Sequence, residues 1–199
     1  VYTFHLRPSA QWSNGDRLTA RDFAYSFRRI LSPALGSVYA YMLWPIKNAE
    51  AFHAGKLKTF ADVGVTVVDD ATLRVTLARP TPYLLGLAAH STWMPVHRAT
   101  IEKYGKLDER GTAWTRPGNL VGNGPFTLAE WQPNARLMVA KNPRYWAAAT
   151  NQLERVIFYP TEKSDVEELN FRAGQLHVTY SVPPSKIASY RQQSPERLR

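Results

Sequence analysis

The chain has 199 residues, 44% of them hydrophobic, no cysteine and a formal net charge of +9. That is enough apolar material for one large domain or two small ones, and the lack of cysteine excludes disulfides and thiolate metal sites. No apolar run approaches the roughly 18 residues that a membrane-spanning helix needs, and no signal peptide is visible.

Tyr2, Phe4 and Leu6 alternate with Thr3, His5 and Arg7, the period of a half-buried strand. Ser13-Asn14-Gly15-Asp16 is a turn. Thr19 and Asp22 have the spacing of a capping box. Phe23, Phe27, Ile30 and Leu31 then fall on one helical face. Ser32 to Ser37 is a loop, and Val38 to Trp44 is an aromatic stretch interrupted by Pro45. Asn48 is placed to cap a short helix that ends at Gly55. Val63–Val68 and Thr72–Leu77 are β-runs joined at Asp69-Asp70-Ala71, a hairpin.

Pro80-Thr81-Pro82 opens a short apolar helix over 83–89, and Thr100 to Tyr104 is another, ended at Gly105. Gly122-Asn123-Gly124-Pro125 leads into a second hairpin, with arms 126–131 and 136–140 and its turn at Gln132-Pro133-Asn134. Arg155 to Tyr159 is a further strand. Ser164 and Glu167 have capping-box spacing before a helix running to Gly174. His177 to Tyr180 has the pattern of a strand, and Pro183-Pro184 starts a last helix. Fourteen prolines and six tryptophans point to a loop-rich fold with aromatic packing. The whole is mixed α and β with local hairpins; a doubly wound parallel sheet would need regular βα alternation.

Few residues invite chemistry. His5, His53, His90, His97 and His177 have no metal-like spacing and read as structural or surface residues. Asp69-Asp70 is a turn pair rather than a catalytic pair, because adjacent strand residues face opposite ways. Gly122-Asn123-Gly124 is followed by Pro125 and a strand, not by the helix that a phosphate loop requires. No Gly-x-Ser-x-Gly elbow is present. Arg144-Tyr145-Trp146 could stack on single-stranded nucleic acid, or pack beneath a sheet. The longest basic run is Arg28-Arg29, so the positive charge reads as a solvated surface. Nothing in the chain is positive evidence of catalysis.

Residues 1–29, taken as an ordered series, closely resemble the signature stretch of the family 5 extracytoplasmic solute-binding proteins, the oligopeptide- and dipeptide-binding receptors of ABC importers. Leu35–Met42, the hairpin Val63–Leu77 and Pro80-Thr81-Pro82-Tyr83 resemble later segments of the same family. So do Gly122–Trp146, ending Asn142-Pro143-Arg144-Tyr145-Trp146, and Asn170–Thr179 with Phe171-Arg172-Ala173-Gly174-Gln175. Asn123 departs from the threonine that many members carry there.

The resemblance implies an α+β fold with a mixed sheet, hairpins and short helices. It would be a fragment of a two-lobed periplasmic-binding-protein type II-like fold with an extra domain. Both ends look cut. Residues 1–98 would be the small extra α/β domain and 99–199 part of the first lobe. The implied function is a non-catalytic peptide receptor, with no cofactor and no metal. Its partners would be a peptide and the membrane subunits of an ABC importer; no nucleic acid is expected, and the receptor would act as a monomer. It would lie in the periplasm or be a lipid-anchored extracytoplasmic protein. Alternatives within the resemblance are a murein peptide, a sugar or a nickel complex as ligand, or the sensing domain of a transcription regulator. Tyr39 stands where peptide receptors place a ligand-touching tyrosine, or it is a core or interdomain residue. Tyr180 and Ser181 fall near an edge where a peptide main chain can add as a strand.

Overall fold

The computed structural model describes residues 1–198. The chain divides into two compact units, one of residues 1–131 and 137–157, the other of 132–136 and 158–199.

The larger unit begins with strand β1, Tyr2–His5, whose alternating exposure matches the alternation of its side chains. Helix α1 follows at Ala20–Leu31. Its capping box forms as expected: the Asp22 carboxylate accepts the Thr19 backbone N–H at 2.8 Å. Phe27 and Leu31 are fully buried, and Phe23 and Ile30 pack beside them. Strands β2 (Val65–Asp69) and β3 (Thr72–Val75) form the first hairpin. The sheet order is β1-β3-β2, antiparallel, with Phe4 and Val67 both opposite Leu73, and Tyr2 and Val65 both opposite Val75. These six side chains share one sheet face and meet α1 there.

The hairpin tip explains the adjacent acids. The Asp69 carboxylate accepts the Ala71 N–H at 2.8 Å and closes the turn. Asp70 accepts from Arg21 Nε at 3.1 Å, and its carbonyl accepts the Ala20 N–H at 2.8 Å. The tip is thus fastened to the start of α1.

Helix α2 spans Ala49–His53, α3 Leu84–Leu87 and α4 Arg98–Tyr104. Asn48 precedes α2 but does not cap it through its side chain. Its φ of 63° lies outside the extended region that an N-cap uses, and its side-chain amide donates to the Asp62 carbonyl at 2.8 Å instead. A second sheet has the order β4-β5-β6, made of Phe126–Gln132, Arg136–Lys141 and Arg155–Phe158.

The smaller unit contains α5 (Ser164–Arg172) and α6 (Ile187–Gln193). The capping box expected at Ser164 is absent, because the helix starts one residue earlier with Lys163 as N-cap. Ser164 is already helical, and Glu167 is used elsewhere. The strand expected at His177–Tyr180 does not form either. Strands exist by pairing, and among the described residues none pairs with this segment. A 3-10 turn, Pro184–Lys186, leads into α6 after the two prolines.

Between α5 and α6 lies a buried carboxylate. Glu168 is 3% exposed and accepts from Lys186 Nζ at 2.5 Å and from the Tyr190 hydroxyl at 2.9 Å. Arg172 Nε stands 3.4 Å from the same carboxylate. The Lys186 hydrogen bond is the main reason its pKa lies below the usual carboxylate value, with burial opposing.

Candidate functional site

After α1 the chain enters a 3-10 helix, Ala40–Leu43. Ala40, Leu43, Ile46 and Ala49 recur every third residue, and all four are buried. The same spacing turns Tyr41 and Trp44 outward, 45% and 40% exposed. Tyr39, just before the helix, is 51% exposed and is therefore not a core residue of this unit.

Two side chains lie beside the Tyr39 ring. Its centroid lies 6.0 Å from that of Tyr41 and 5.3 Å from that of His90. Tyr41 in turn meets Trp44 edge-on at 6.3 Å. His90 Nδ1 accepts the Thr92 N–H at 3.3 Å, which caps the 3-10 turn Ser91–Trp93 and fixes the imidazole beside Tyr39. Trp93 donates from Nε1 to the Met42 carbonyl at 3.2 Å and meets Phe27 edge-on at 5.2 Å. An exposed aromatic group thus stands on a core that holds it still. It offers flat apolar faces and the phenolic hydroxyls of Tyr39 and Tyr41, which suits contact with a main chain. The sequence singled out Tyr39 but gave no signal for His90, because 51 residues separate them.

Tyr180 and Ser181 belong to the other unit. The Tyr180 side chain is 99% exposed. Its N–H donates to Glu167 Oε1 at 2.8 Å, so α5 holds the segment by its backbone and turns the ring outward. Ser181 is exposed as well.

The histidine that most suggests catalysis serves architecture. His97 is 6% exposed, with Nε2 2.9 Å from Asp16 and Nδ1 2.7 Å from the Thr100 hydroxyl. Nδ1 also accepts the Thr100 N–H at 3.3 Å, which makes His97 the N-cap of α4. Thr100 is itself buried. Among the described residues no group of three or more His, Asp or Glu is placed to hold a metal ion, and no helix is long and apolar enough to cross a membrane.

The arginine–aromatic motif is also engaged internally. Arg144 Nη1 donates to the Ser13 carbonyl at 3.2 Å, and Arg7 stacks 3.9 Å above the Trp146 ring. Asn142, 1% exposed, donates from Nδ2 to the Gly124 carbonyl at 2.8 Å and accepts the Arg144 N–H at 3.0 Å. The Gly122 N–H donates to Ser13 Oγ at 3.3 Å, and the Ser13 N–H to the Gly122 carbonyl at 2.8 Å. The Ser13 turn, the Gly122 loop and the Asn142 motif are one clasp.

The family of bacterial extracellular solute-binding proteins described as "family 5 Middle" matches residues 1–197. This chain belongs to that family. The family 5 chain is 38% identical over 190 residues to the periplasmic oligopeptide-binding protein OppA of Salmonella typhimurium, covering 94% of this chain and 34% of that protein. It is 37% identical over 185 residues to the periplasmic murein peptide-binding protein MppA of Escherichia coli, covering 92% and 33%. Its fold superposes on Haemophilus influenzae OppA in complex with RPPGFSPFR with a TM-score of 0.87 and 35% identity, covering 95% of this chain and 36% of that one. The chain spans about a third of the length of the relatives it matches.

Proposed function

We propose that this family 5 protein is part of a non-catalytic receptor that captures oligopeptides or dipeptides outside the cytoplasm and delivers them to an ABC importer. The observation that carries the reading is likeness over nearly the whole chain, in sequence and in fold, to periplasmic oligopeptide-binding proteins. Residues 1–98 form the extra domain of that receptor and 99–199 part of its first lobe. This boundary is a property of the whole receptor, and it differs from the grouping of close contacts within this chain.

In this reading the Tyr39 ring lies against the peptide main chain and its hydroxyl hydrogen-bonds to it. Tyr180 and Ser181 flank an edge to which the peptide adds as a strand. The Tyr180 N–H is held by Glu167, so strand addition uses other backbone groups of that segment. The receptor works as a monomer with the importer's membrane subunits, in the periplasm or tethered outside the membrane by lipid. A murein peptide as ligand is the second reading, favoured by the likeness to MppA.

Calorimetry on the whole receptor tests both readings, with a tri- to pentapeptide pool in one arm and a murein tripeptide in the other. Saturable binding of the pool without cleavage is expected. Binding confined to the murein tripeptide would establish the second reading. Binding of neither, or peptide turnover seen by mass spectrometry, would overturn both.

A further inference from the structure

A cleft of about 420 Å³ opens beside α1, within the larger unit. It shares no residue with the Tyr39 aromatic group. Arg21, Tyr25 and Arg28 line it from one face of α1, at the i, i+4, i+7 spacing that aligns side chains on a helix. Arg98 and Glu102 line it from α4, and Phe60 and Val67 give it an apolar wall. Its volume is in the range of small-molecule sites, which run from about 300 to 1,000 Å³.

The donors in this cleft outnumber the acceptors. Arg21 reaches Asp70 through Nε, and Arg98 reaches Glu102 through Nε at 2.9 Å. A guanidinium carries further N–H donors beyond that one. Arg28 is exposed and makes no ion pair among the described residues. Tyr25 is 8% exposed, yet its hydroxyl has no hydrogen-bond partner among the described residues. Arg98 lies over the Tyr25 ring at 5.5 Å. Burial raises the Tyr25 pKa, Glu102 adds to the rise, and Arg29, Arg98 and Arg28 oppose it. A buried donor without an acceptor is uncommon in folded proteins and calls for an explanation.

We propose that this cleft binds a small amphipathic organic anion: its phosphate or carboxylate head is held by Arg28, Arg21 and Arg98 and accepts from the Tyr25 hydroxyl, and its apolar body lies against Phe60 and Val67. Arginine suits the head because its planar fork pairs with two oxygens at once. The apolar wall sets the class apart from a bare inorganic ion.

Phenyl phosphate is the probe, titrated into the 199-residue chain and followed by calorimetry and by chemical-shift changes at Tyr25. Saturable binding is expected, at least about three-fold tighter than that of inorganic phosphate, with none for benzyl alcohol. Arg28→Gln, on an exposed side chain that the fold does not need, weakens it about ten-fold, the scale of a charge-assisted hydrogen bond. Tyr25→Phe weakens it about three-fold or more while keeping the ring. Lys56→Gln, an exposed cation outside the cleft, leaves it unchanged. Inorganic phosphate binding as tightly as phenyl phosphate would overturn the amphipathic class. Binding that does not saturate, or that is indifferent to both Arg28→Gln and Tyr25→Phe, would overturn the site.

Discussion

The side-chain amide of Asn142 donates to the carbonyl of Gly124 at 2.8 Å, across eighteen residues of chain. The same side chain accepts the Arg144 N–H, and the Asn142 backbone N–H donates to the Pro125 carbonyl at 2.9 Å. One fully buried residue therefore joins the Gly122 loop to the arginine–aromatic motif. Asn142→Ala leaves the Gly124 carbonyl and the Arg144 N–H without their side-chain partner, and should cost about 1–2 kcal/mol, the scale of two ordinary hydrogen bonds. Chemical denaturation checks this; a loss below about 0.5 kcal/mol, the level of an ordinary surface change, would remove Asn142 from the clasp.

Tyr39→Ala should leave folding nearly untouched, because the ring is half exposed and its neighbours rest on other contacts. In the whole receptor it should weaken peptide binding by about 1–2 kcal/mol, an aromatic contact plus a hydrogen bond. Tyr39→Phe should keep the aromatic part of that contribution and lose the rest. Calorimetry beside thermal melting separates the outcomes: unchanged affinity removes Tyr39 from the ligand, and a collapsed melt makes it structural.

Glu168 gives a pH dependence of known sign. Its folded pKa is lowered, first by the Lys186 hydrogen bond, then by Tyr190 and the nearby charges, with burial opposing. A lowered pKa means that the folded state binds a proton less readily than the unfolded chain. The stabilisation is thus complete above the unfolded glutamate value of about 4.3 and is lost as pH falls through the lower folded value. The stability gap between the parent and Glu168→Gln should be widest near neutrality and should shrink on acidification below that value. Hydrogen exchange in α5 and α6, followed across pH, reads it locally. A gap that does not change with pH would refute the assignment.

Gly64 carries a packing constraint rather than a conformational one. A Cβ there would meet the Thr76 carbonyl oxygen at 2.3 Å and Lys47 Cβ at 3.0 Å. The backbone is locked on both sides: the Gly64 N–H donates to the Lys47 carbonyl, and its carbonyl accepts the Thr76 N–H, each at 2.8 Å. Gly64→Ala should therefore cost about 1–3 kcal/mol, the range of overpacking, and should shift the amide resonances of Thr76 and Lys47. A neutral thermal melt would show that the strands part more easily than this geometry implies.

Local rules determined much of this fold from sequence. The alternation of Tyr2, Phe4 and Leu6, the Thr19–Asp22 box, both hairpins and the aromatic stretch after α1 depend on spacing along the chain, and spacing is visible in a sequence. Family membership was legible for the same reason, since ordered motifs over nearly all the chain carry it. The sequence also singled out Tyr39, but not what surrounds it. Tertiary structure alone decided which acceptors are near: Asn48 reaches Asp62 rather than capping α2, Glu167 reaches Tyr180 rather than the start of α5, and His177–Tyr180 has no strand beside it among the described residues. It alone placed His90 against Tyr39, sank Glu168 between Lys186 and Tyr190, and gathered three arginines around Tyr25. A side chain's propensity is set by its own few neighbours in sequence, whereas its partner is set by whichever polar group the folded backbone carries within hydrogen-bond reach.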